Sequence, residues 1–416
     1  MVRTDNSIYK NMYYFFIVLL MLKSMKISWL WSIPNPFFTV LAFLFTCILL
    51  ISTNAIKFER SQKWIVINYL LVVFLGILFS PKEGLFSLLI DILHYFIILV
   101  VILLKEQYKI ELFNFVIKTL TIILIITIPA WLLYLVGVPF PHGPVVDIGD
   151  DFHFMRDYGL FVRSENSVLF QIIPRFASVF LEPGWIGTIC FFSVLGLRFK
   201  NNTISVLLCL FAIFLSFSLS AIINLIICVS ILFLMEDKSR VSIIVSLISI
   251  FGFIYVTLNF YKGNDPIKTL VIERLMYDDE SIIAGNNRTT EIFNQNYERF
   301  TNSSERWFGI RYRIGKSNMM SRDWLNQSSG IRKEIMYYGY IGTGVFLSFL
   351  ILLFRKYKSK ISFVFLIGFL LASFVRNLWR YDYYLIFYIV TMSFLYYDSK
   401  GKLLIDSKRI IRWKNL

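Results

Sequence analysis

The stretch that decides the fold is TISVLLCLFAIFLSFSLSAIINLIICVSILFLM, residues 203–235, which runs for 33 residues without a charged side chain. As one helix it would be about 50 Å long, whereas the hydrocarbon core of a bilayer is about 30 Å thick. It is too long for one crossing and short for two. We predict two crossings that are hinged near Ser216-Phe217-Ser218-Leu219-Ser220.

The rest of the chain has the same apolar character. Of its 416 residues, 57% are hydrophobic and only 17% are charged, against roughly 25% charged in an average soluble domain. This composition excludes an ordinary soluble enzyme and predicts an all-α polytopic membrane protein with a single multi-pass domain, residues 1–416. Apolar windows predict about twelve spans, at 11–31, 36–53, 64–79, 85–104, 112–138, 177–197, 203–217, 220–235, 241–260, 333–354, 361–375 and 382–397.

The distribution of basic residues predicts how these spans are oriented. With twelve spans, the termini and five short loops on the same side hold 21 Lys and Arg, and the opposite short loops hold 5. The positive-inside rule then places both termini in the cytoplasm. Two long connections become external: loop 1, residues 139–176, and loop 2, residues 261–332. The net charge of +15 is therefore mainly an orientation signal and does not indicate a nucleic-acid partner.

The external segments are rich in arginine, with 13 Arg and 6 Lys, whereas the cytoplasmic ones have 7 Arg and 14 Lys. Guanidinium forks bind phosphate oxygens, and flat aromatic rings stack on sugars. An acid-free run in loop 2, residues 306–322, interleaves both residue types. The alternative is that these arginines pair with the acids of the same loop. We predict substrate contacts from Trp307, Arg311, Arg313, Arg322, Asp323 and Trp324.

Upstream in loop 2, aromatic residues recur at helical spacing after Asn287 and Arg288. This pattern predicts a helix that begins near Asn287 and carries Phe293, Tyr297 and Phe300 on one face. A helix N-terminus that bears an arginine is suited to bind an anion. A surface helix with an ordinary cap is an equally good interpretation.

Other polar residues have simpler interpretations. The acidic turn 147–153, with three aspartates and His153, matches no defined metal-binding loop, so a solvated turn is favoured and no metal is predicted. Asp91 and His94 share one helical face, and an interhelical hydrogen bond is favoured over a proton relay. The four cysteines lie inside apolar runs and indicate neither a disulfide nor a metal site.

Loop 1 ends at Arg175, and Glu182-Pro183-Gly184 follows seven residues later. Two helical turns separate Arg175 from Glu182, so we predict that both lie on one face of a helix that Pro183 and Gly184 loosen. An ionisable residue inside the bilayer is costly and indicates a functional site. The alternative is a structural pair between Glu182 and an arginine. The functional and the structural interpretation are both correct if the Glu182 carboxylate orients an arginine whose other donors bind substrate.

Together these features resemble the bacterial O-antigen and capsular polysaccharide polymerases of the Wzy type. The resemblance covers nearly the whole chain in layout, with many spans and two long external loops. The motifs that carry it are Arg175 followed by Glu182-Pro183-Gly184, the serine hinge 216–220, Asn287-Arg288-Thr289, Trp307-Phe308-Gly309 and Tyr338-Gly339-Tyr340-Ile341-Gly342.

The resemblance implies a metal-independent glycosyltransferase of the bacterial cytoplasmic (inner) membrane. Such an enzyme needs no cofactor and acts, surrounded by membrane lipid, on undecaprenyl-diphosphate-linked oligosaccharides. It moves the growing glycan onto a new lipid-linked repeat unit, and a chain-length regulator protein is an expected partner.

The resemblance also implies roles for particular residues. Arg175 and Arg288 would contact the diphosphate, with Arg311 and Arg313 as further candidates. The resemblance leaves the general base unassigned, but the acceptor hydroxyl has to lose a proton, for which Glu182 and Asp323 are the candidates. Related O-antigen ligases usually carry a histidine in the large loop, and loop 2 has none, which favours a polymerase over a ligase. A flippase for lipid-linked oligosaccharides is the remaining alternative.

Overall fold

The computed structural model describes residues 5–78, 84–147, 154–164, 174–199, 201–235, 291–310, 330–376, 378 and 382–401. Within these ranges the chain is predominantly helical. The helices are α1 (Asp5–Ser24), α2 (Asn35–Ser52), α3 (Lys63–Leu78), α4 (Leu85–Leu103), α5 (Glu106–Leu135), α6 (Pro183–Gly196), α7 (Thr203–Leu215), α8 (Leu219–Met235), α9 (Glu291–Thr301), α10 (Gly330–Lys356), α11 (Lys360–Val375) and α12 (Asp382–Ser399).

Four of these helices, α2, α4, α5 and α10, are long and apolar enough to cross a membrane. Another four, α6, α7, α8 and α11, are apolar but shorter. The 14 residues of α6 and the 13 of α7 span only about 21 Å and 20 Å, less than a hydrocarbon core of about 30 Å. The described chain is thus mostly helical with membrane-type helices, as predicted, and some of these helices are too short for a full crossing.

The predicted hinge in residues 203–235 is confirmed. Helices α7 and α8 are separated by residues 216–218, and Phe217 has a φ of 45°, in the left-handed region. The Ser216 hydroxyl donates to the carbonyl of Ile213 at 2.8 Å and accepts from the backbone N–H of Ser218 at 3.2 Å. Since a short hydroxyl offers the backbone an alternative to helical bonding, the apolar run breaks at its serines.

The first predicted span, 11–31, differs from the structure in its bounds. Helix α1 begins at Asp5 and ends at Ser24, and Lys26 has a φ of 52°, which stops the helix there. The ninth predicted span, 241–260, lies outside the described residues.

The centre of the bundle is formed by α6 and α12. Every residue of α6 from Gly184 to Gly196 is buried, and so is every residue of α12 from 383 to 395. The two helices contact each other through stacked rings of Trp185 and Tyr384, whose centroids are 5.8 Å apart. A helix that is buried on every side is expected to be apolar on every side, which explains why neither α6 nor α12 has an amphipathic pattern. The first turn of α6 therefore starts inside the protein.

A buried ionic cluster lies at the start of α5. The carboxylate of Glu106 accepts hydrogen bonds from Lys356 at 2.9 Å, from Tyr357 at 2.8 Å and from Ser393 at 2.6 Å. The ammonium of Lys109, a fully buried residue, lies 3.3 Å from the same carboxylate. The cluster joins the start of α5 to the end of α10 and to α12.

Loop 1 and loop 2 both contain regular structure. Loop 1 has a three-stranded antiparallel sheet of β1 (Val145–Asp147), β2 (Phe154–Asp157) and β3 (Val162–Ser164), in that order. Strands of three or four residues are too short to give the alternating pattern that predicts strands from sequence. In loop 2 the predicted aromatic helix is confirmed as α9. It forms a second small core of Phe293, Phe300, Ile310 and Met336.

Candidate functional site at the start of helix α6

Arg175 and Glu182 precede α6 and do not lie on it. Residues 174–182 are not helical, and Glu182 is extended, with φ −138° and ψ 148°. The prediction that Arg175 and Glu182 share one helical face is therefore wrong. The physical reason is Pro183, which has no N–H, suits the first position of a helix and disfavours helical backbone in the residue before it.

The segment 174–182 is held in the interior by backbone hydrogen bonds. Phe176 donates to the carbonyl of Leu215 at the end of α7, at 3.0 Å, and the carbonyl of Ser178 accepts from Val162 of β3 at 2.8 Å. A third bond joins the segment to the turn after α1. Buried non-helical backbone needs partners for its N–H and C=O groups, and these bonds supply some of them.

Arg175 binds the break between α7 and α8. Its Nε donates to the carbonyl of Ser216 at 2.9 Å, and its Nη2 donates to the carbonyl of Phe217 at 3.1 Å. Carbonyls at the end of a helix have no partner within the helix and carry its partial negative charge. The guanidinium supplies both the donors and the positive charge, so the serine hinge and Arg175 form one unit.

Glu182 forms an ion pair with Arg376, which follows α11. The Nη1 of Arg376 donates to Oε2 of Glu182 at 3.1 Å, and the guanidinium carbon lies 4.9 Å from the ring centroid of Trp185. Tyr384 stacks on the same indole ring. Arg376 is only 8% exposed. The alternative interpretation, a pair between Glu182 and an arginine, is thus confirmed, and the arginine is Arg376.

Sequence analysis did not single out Arg376. It counted only as one basic residue of a short loop, and it lies 194 residues from Glu182 along the chain. A signal existed in retrospect: an arginine directly after an apolar run has to find a carboxylate or an aromatic ring nearby. That signal does not say which carboxylate.

Glycines allow this close packing around Arg376. A Cβ atom on Gly184 would collide with Nη2 of Arg376 and lie 2.5 Å from its Cζ. A Cβ atom on Gly330, the first residue of α10, would lie 2.5 Å from the backbone oxygen of Arg376. The guanidinium therefore rests directly on the backbone of α6, and α10 begins against the end of α11.

The two arginines lie near neighbouring turns of α6. Gly184 contacts Arg376, and Gly187 faces the hinge that Arg175 binds, since a Cβ on Gly187 would lie 2.7 Å from Cβ of Ser218. Positions three apart on a helix are neighbours, about 5–6 Å between Cβ atoms. The Arg376 guanidinium and the Glu182 carboxylate thus lie at a helix N-terminus, which adds partial positive charge, and Arg175 binds the hinge that packs against the next turn of α6. Such an arrangement suits a multiply charged anion such as a phosphate or diphosphate.

A second feature of the structure is the crossing of loop 2 over α10. Gly309 and Gly339 have φ values of 86° and 66°, and a Cβ on Gly309 would lie 2.8 Å from the backbone N of Gly339. The carbonyl of Trp307 accepts from the N–H of Ile341 at 3.1 Å. The Trp307-Phe308-Gly309 and Tyr338-Gly339-Tyr340 motifs, far apart in sequence, therefore meet backbone to backbone.

The aromatic side chains at this crossing are exposed. Trp307 is 48% exposed, and its ring centroid lies 6.0 Å from that of Tyr340. The guanidinium carbon of Arg306 lies 5.3 Å from the centroid of the Trp307 ring. In α9, burial raises the pKa of Tyr297, the neighbouring Tyr340 adds to this, and Arg332 opposes it. An exposed indole with an adjacent guanidinium has the chemistry of a sugar platform, and sugar binding by Trp307 stays a prediction.

Replacing Gly339 with alanine is expected to detach loop 2 from α10. The substitution forces φ 66° on an L-residue and places a Cβ 2.5 Å from the backbone N of Phe308, a strain of at least about 1–3 kcal/mol. The measurement is limited proteolysis of loop 2 together with thermal unfolding. The control is Gly344→Ala on the same helix, where a Cβ would meet nothing within 4 Å. Equal protease resistance in both variants would contradict the proposed crossing.

The remaining predicted site residues are outside the described part of the chain. They are Arg288, Arg311, Arg313, Arg322, Asp323 and Trp324. Asp147 lies in β1, but Asp150, Asp151 and His153 are also outside. Among the described residues, no group of three or more His, Cys, Asp and Glu side chains is close enough to hold a metal ion.

Comparison of the chain with known protein families, with curated proteins and with solved structures found no match. The described structure is that of a mostly helical protein with membrane-type helices and a buried cationic site at the start of α6. Its function has to be argued from the chemistry of that site.

Proposed function

We propose that this protein is a membrane glycosyltransferase that polymerises undecaprenyl-diphosphate-linked oligosaccharide repeat units into O-antigen or capsular polysaccharide. The observation that carries the proposal is the buried Arg376 guanidinium, which pairs with Glu182 and packs on Gly184 in the first turn of α6, beside the hinge that Arg175 binds. Cationic donors at this position suit a substrate whose reacting end is a lipid-anchored diphosphate.

The reaction assigns a task to each charge. A hydroxyl of the acceptor repeat unit attacks the anomeric carbon of the donor glycan, and the bond from that carbon to the diphosphate oxygen breaks. Negative charge grows on the leaving diphosphate, so guanidinium groups stabilise the transition state more than the ground state. The proton of the hydroxyl passes to a base, for which Glu182 and Asp323 are the candidates. The ion pair with Arg376 favours an orienting role for Glu182.

The short helices support a site of this kind. Helix α6 begins near the site and helix α7 ends near it, and their lengths of about 21 Å and 20 Å are less than the thickness of the hydrocarbon core. Interrupted helices occur in membrane proteins where their ends line a binding site.

The proposed orientation has twelve spans, both termini in the cytoplasm, and loops 1 and 2 in the periplasm. Contacts among predicted cytoplasmic segments support it. Arg198 pairs with Asp398 at 2.7 Å, and Lys360 donates to the carbonyl of Met235 at 2.7 Å. Lys356 lies 2.9 Å from Glu106. The proposed location is the bacterial cytoplasmic membrane.

Purified protein is expected to convert a lipid-linked repeat unit into a ladder of longer glycans. The substrate is extracted from cells that lack the gene, and the products are separated on a gel. The same cells should display single repeat units at their surface. A flippase would instead leave no repeat units outside, and a ligase would leave polymer that is not attached to its acceptor lipid. Either result, or no ladder from active protein, would overturn the proposal.

A further inference from the structure

We infer that Arg376 is the anion-binding residue of this site and that Glu182 is its positioning residue. The anion is a phosphate group of the lipid-linked diphosphate, so this identification of the ligand rests on the proposed function. Neither long external loop contains Arg376, and sequence analysis gave it no role.

The hydrogen bonds of Arg376 leave one edge of its guanidinium for a ligand. Nη1 is bonded to Glu182. Nε, which shares the opposite edge with Nη2, is buried and has no hydrogen-bond partner among the described residues. A buried cationic donor of this kind is expected to have an acceptor in the working state of the protein. An anionic oxygen supplied by substrate meets that need.

Arg175 provides an internal comparison. It uses the same edge of its guanidinium, Nε and Nη2, to bind the carbonyls of Ser216 and Phe217. Among the described residues, the acceptor that Arg376 binds is the Glu182 carboxylate, at Nη1. The two arginines therefore differ in role: Arg175 fixes the hinge between α7 and α8, and Arg376 presents a fork to the ligand.

The surroundings hold the Arg376 fork in one orientation. Trp185 lies against the guanidinium at 4.9 Å, and Tyr384 stacks on that indole. Glu182 binds one end of the fork, and Gly184 admits it to the helix backbone. These contacts hold the guanidinium in one position, so it loses little conformational freedom when a ligand binds. A planar guanidinium held in this way can donate two parallel hydrogen bonds to a phosphate.

The test measures binding separately from polymerisation. Purified full-length protein in detergent is titrated with farnesyl diphosphate and with inorganic pyrophosphate, using calorimetry, and farnesol is the uncharged comparison. Arg376→Gln is expected to raise the Kd for farnesyl diphosphate by about 10- to 100-fold. Arg376→Lys, which keeps the charge but loses the fork, should also weaken binding. The matched control is Arg198→Gln, which breaks the Arg198–Asp398 pair elsewhere in the bundle.

The positioning role of Glu182 is tested by a double-mutant cycle. Glu182→Gln alone should raise the Kd, whereas in the Arg376→Gln background it should have no further effect. Thermal unfolding of each variant identifies purely structural losses. Lower unfolding temperatures with an unchanged Kd would overturn the inference, and so would equal Kd values for Arg376→Gln and Arg198→Gln.

Further arms separate this inference from the proposed function and from general lipid binding. Competition by phosphatidylglycerol vesicles as strong as by farnesyl diphosphate would identify a lipid headgroup as the ligand and overturn the substrate assignment. Wild-type protein that binds diphosphate but forms no ladder would overturn the polymerase and leave the anion site. A ladder made equally well by wild type and Arg376→Gln would overturn the role of Arg376 alone.

Discussion

Arg175→Ala is expected to remove long-chain glycan from the cell surface while the protein remains in the membrane. The substitution withdraws a positive charge from the site and leaves the carbonyls of Ser216 and Phe217 without their guanidinium partner. Without that partner the hinge beside the site is no longer fixed, and a misplacement of about 1 Å at a reacting group can cost about 100-fold in rate. The measurement is glycan length on a gel, in a deletion strain complemented with each variant at equal protein level.

Two variants make this result specific. Arg175→Lys keeps the charge but cannot donate from a planar fork to both carbonyls, so we expect intermediate chain length. Arg198→Ala breaks a pair with Asp398 away from the site and should leave chain length unchanged. Long glycan in the Arg175→Ala strain would remove Arg175 from the proposed mechanism. Arg288→Ala is expected to resemble Arg175→Ala, on the basis of the resemblance alone.

The sequence was sufficient to predict the local features of the site. Charge-free length predicted the hinge at residues 216–220, where α7 ends and α8 begins. The periodicity of Phe293 and Phe300 predicted α9. Each of these signals comes from residues a few positions apart, where backbone geometry alone sets the outcome. The same local logic failed between Arg175 and Glu182, because Pro183 starts a helix and does not merely loosen one.

The sequence could not predict which distant residues meet. The pairing of Glu182 with Arg376 depends on how α6 and α11 pack, and spacing along the chain carries no information about it. The same holds for the crossing of Gly309 and Gly339, although both motifs were singled out separately. Glycine at such positions is informative only once the neighbouring backbone is known. The residues that orient the site were therefore the ones that required a structure.

The second large effect is expected at the buried ionic cluster. Glu106→Ala should lower the free energy of unfolding by about 3–5 kcal/mol, because it leaves the fully buried Lys109 without its carboxylate partner. Lys356, whose ammonium lies 2.9 Å from Glu106, loses its closest partner as well. The measurement is denaturant or thermal unfolding of purified protein. Binding of farnesyl diphosphate to the folded fraction should persist. The segment before α6 contacts α5 through the Ser178 hydroxyl, which donates to Thr127, and Thr127 lies about 30 Å along α5 from Glu106.

A surface pair and a rescue variant separate charge burial from general damage. Lys57→Ala breaks the pair with Glu59, but the Lys57 side chain is 64% exposed, so the expected loss is only about 0–1 kcal/mol. Glu106→Met combined with Lys109→Met removes both charges and keeps apolar volume, and it should recover part of the stability lost in Glu106→Ala. If Glu106→Ala is no more destabilising than Lys57→Ala, the cluster does not hold α5, α10 and α12 together.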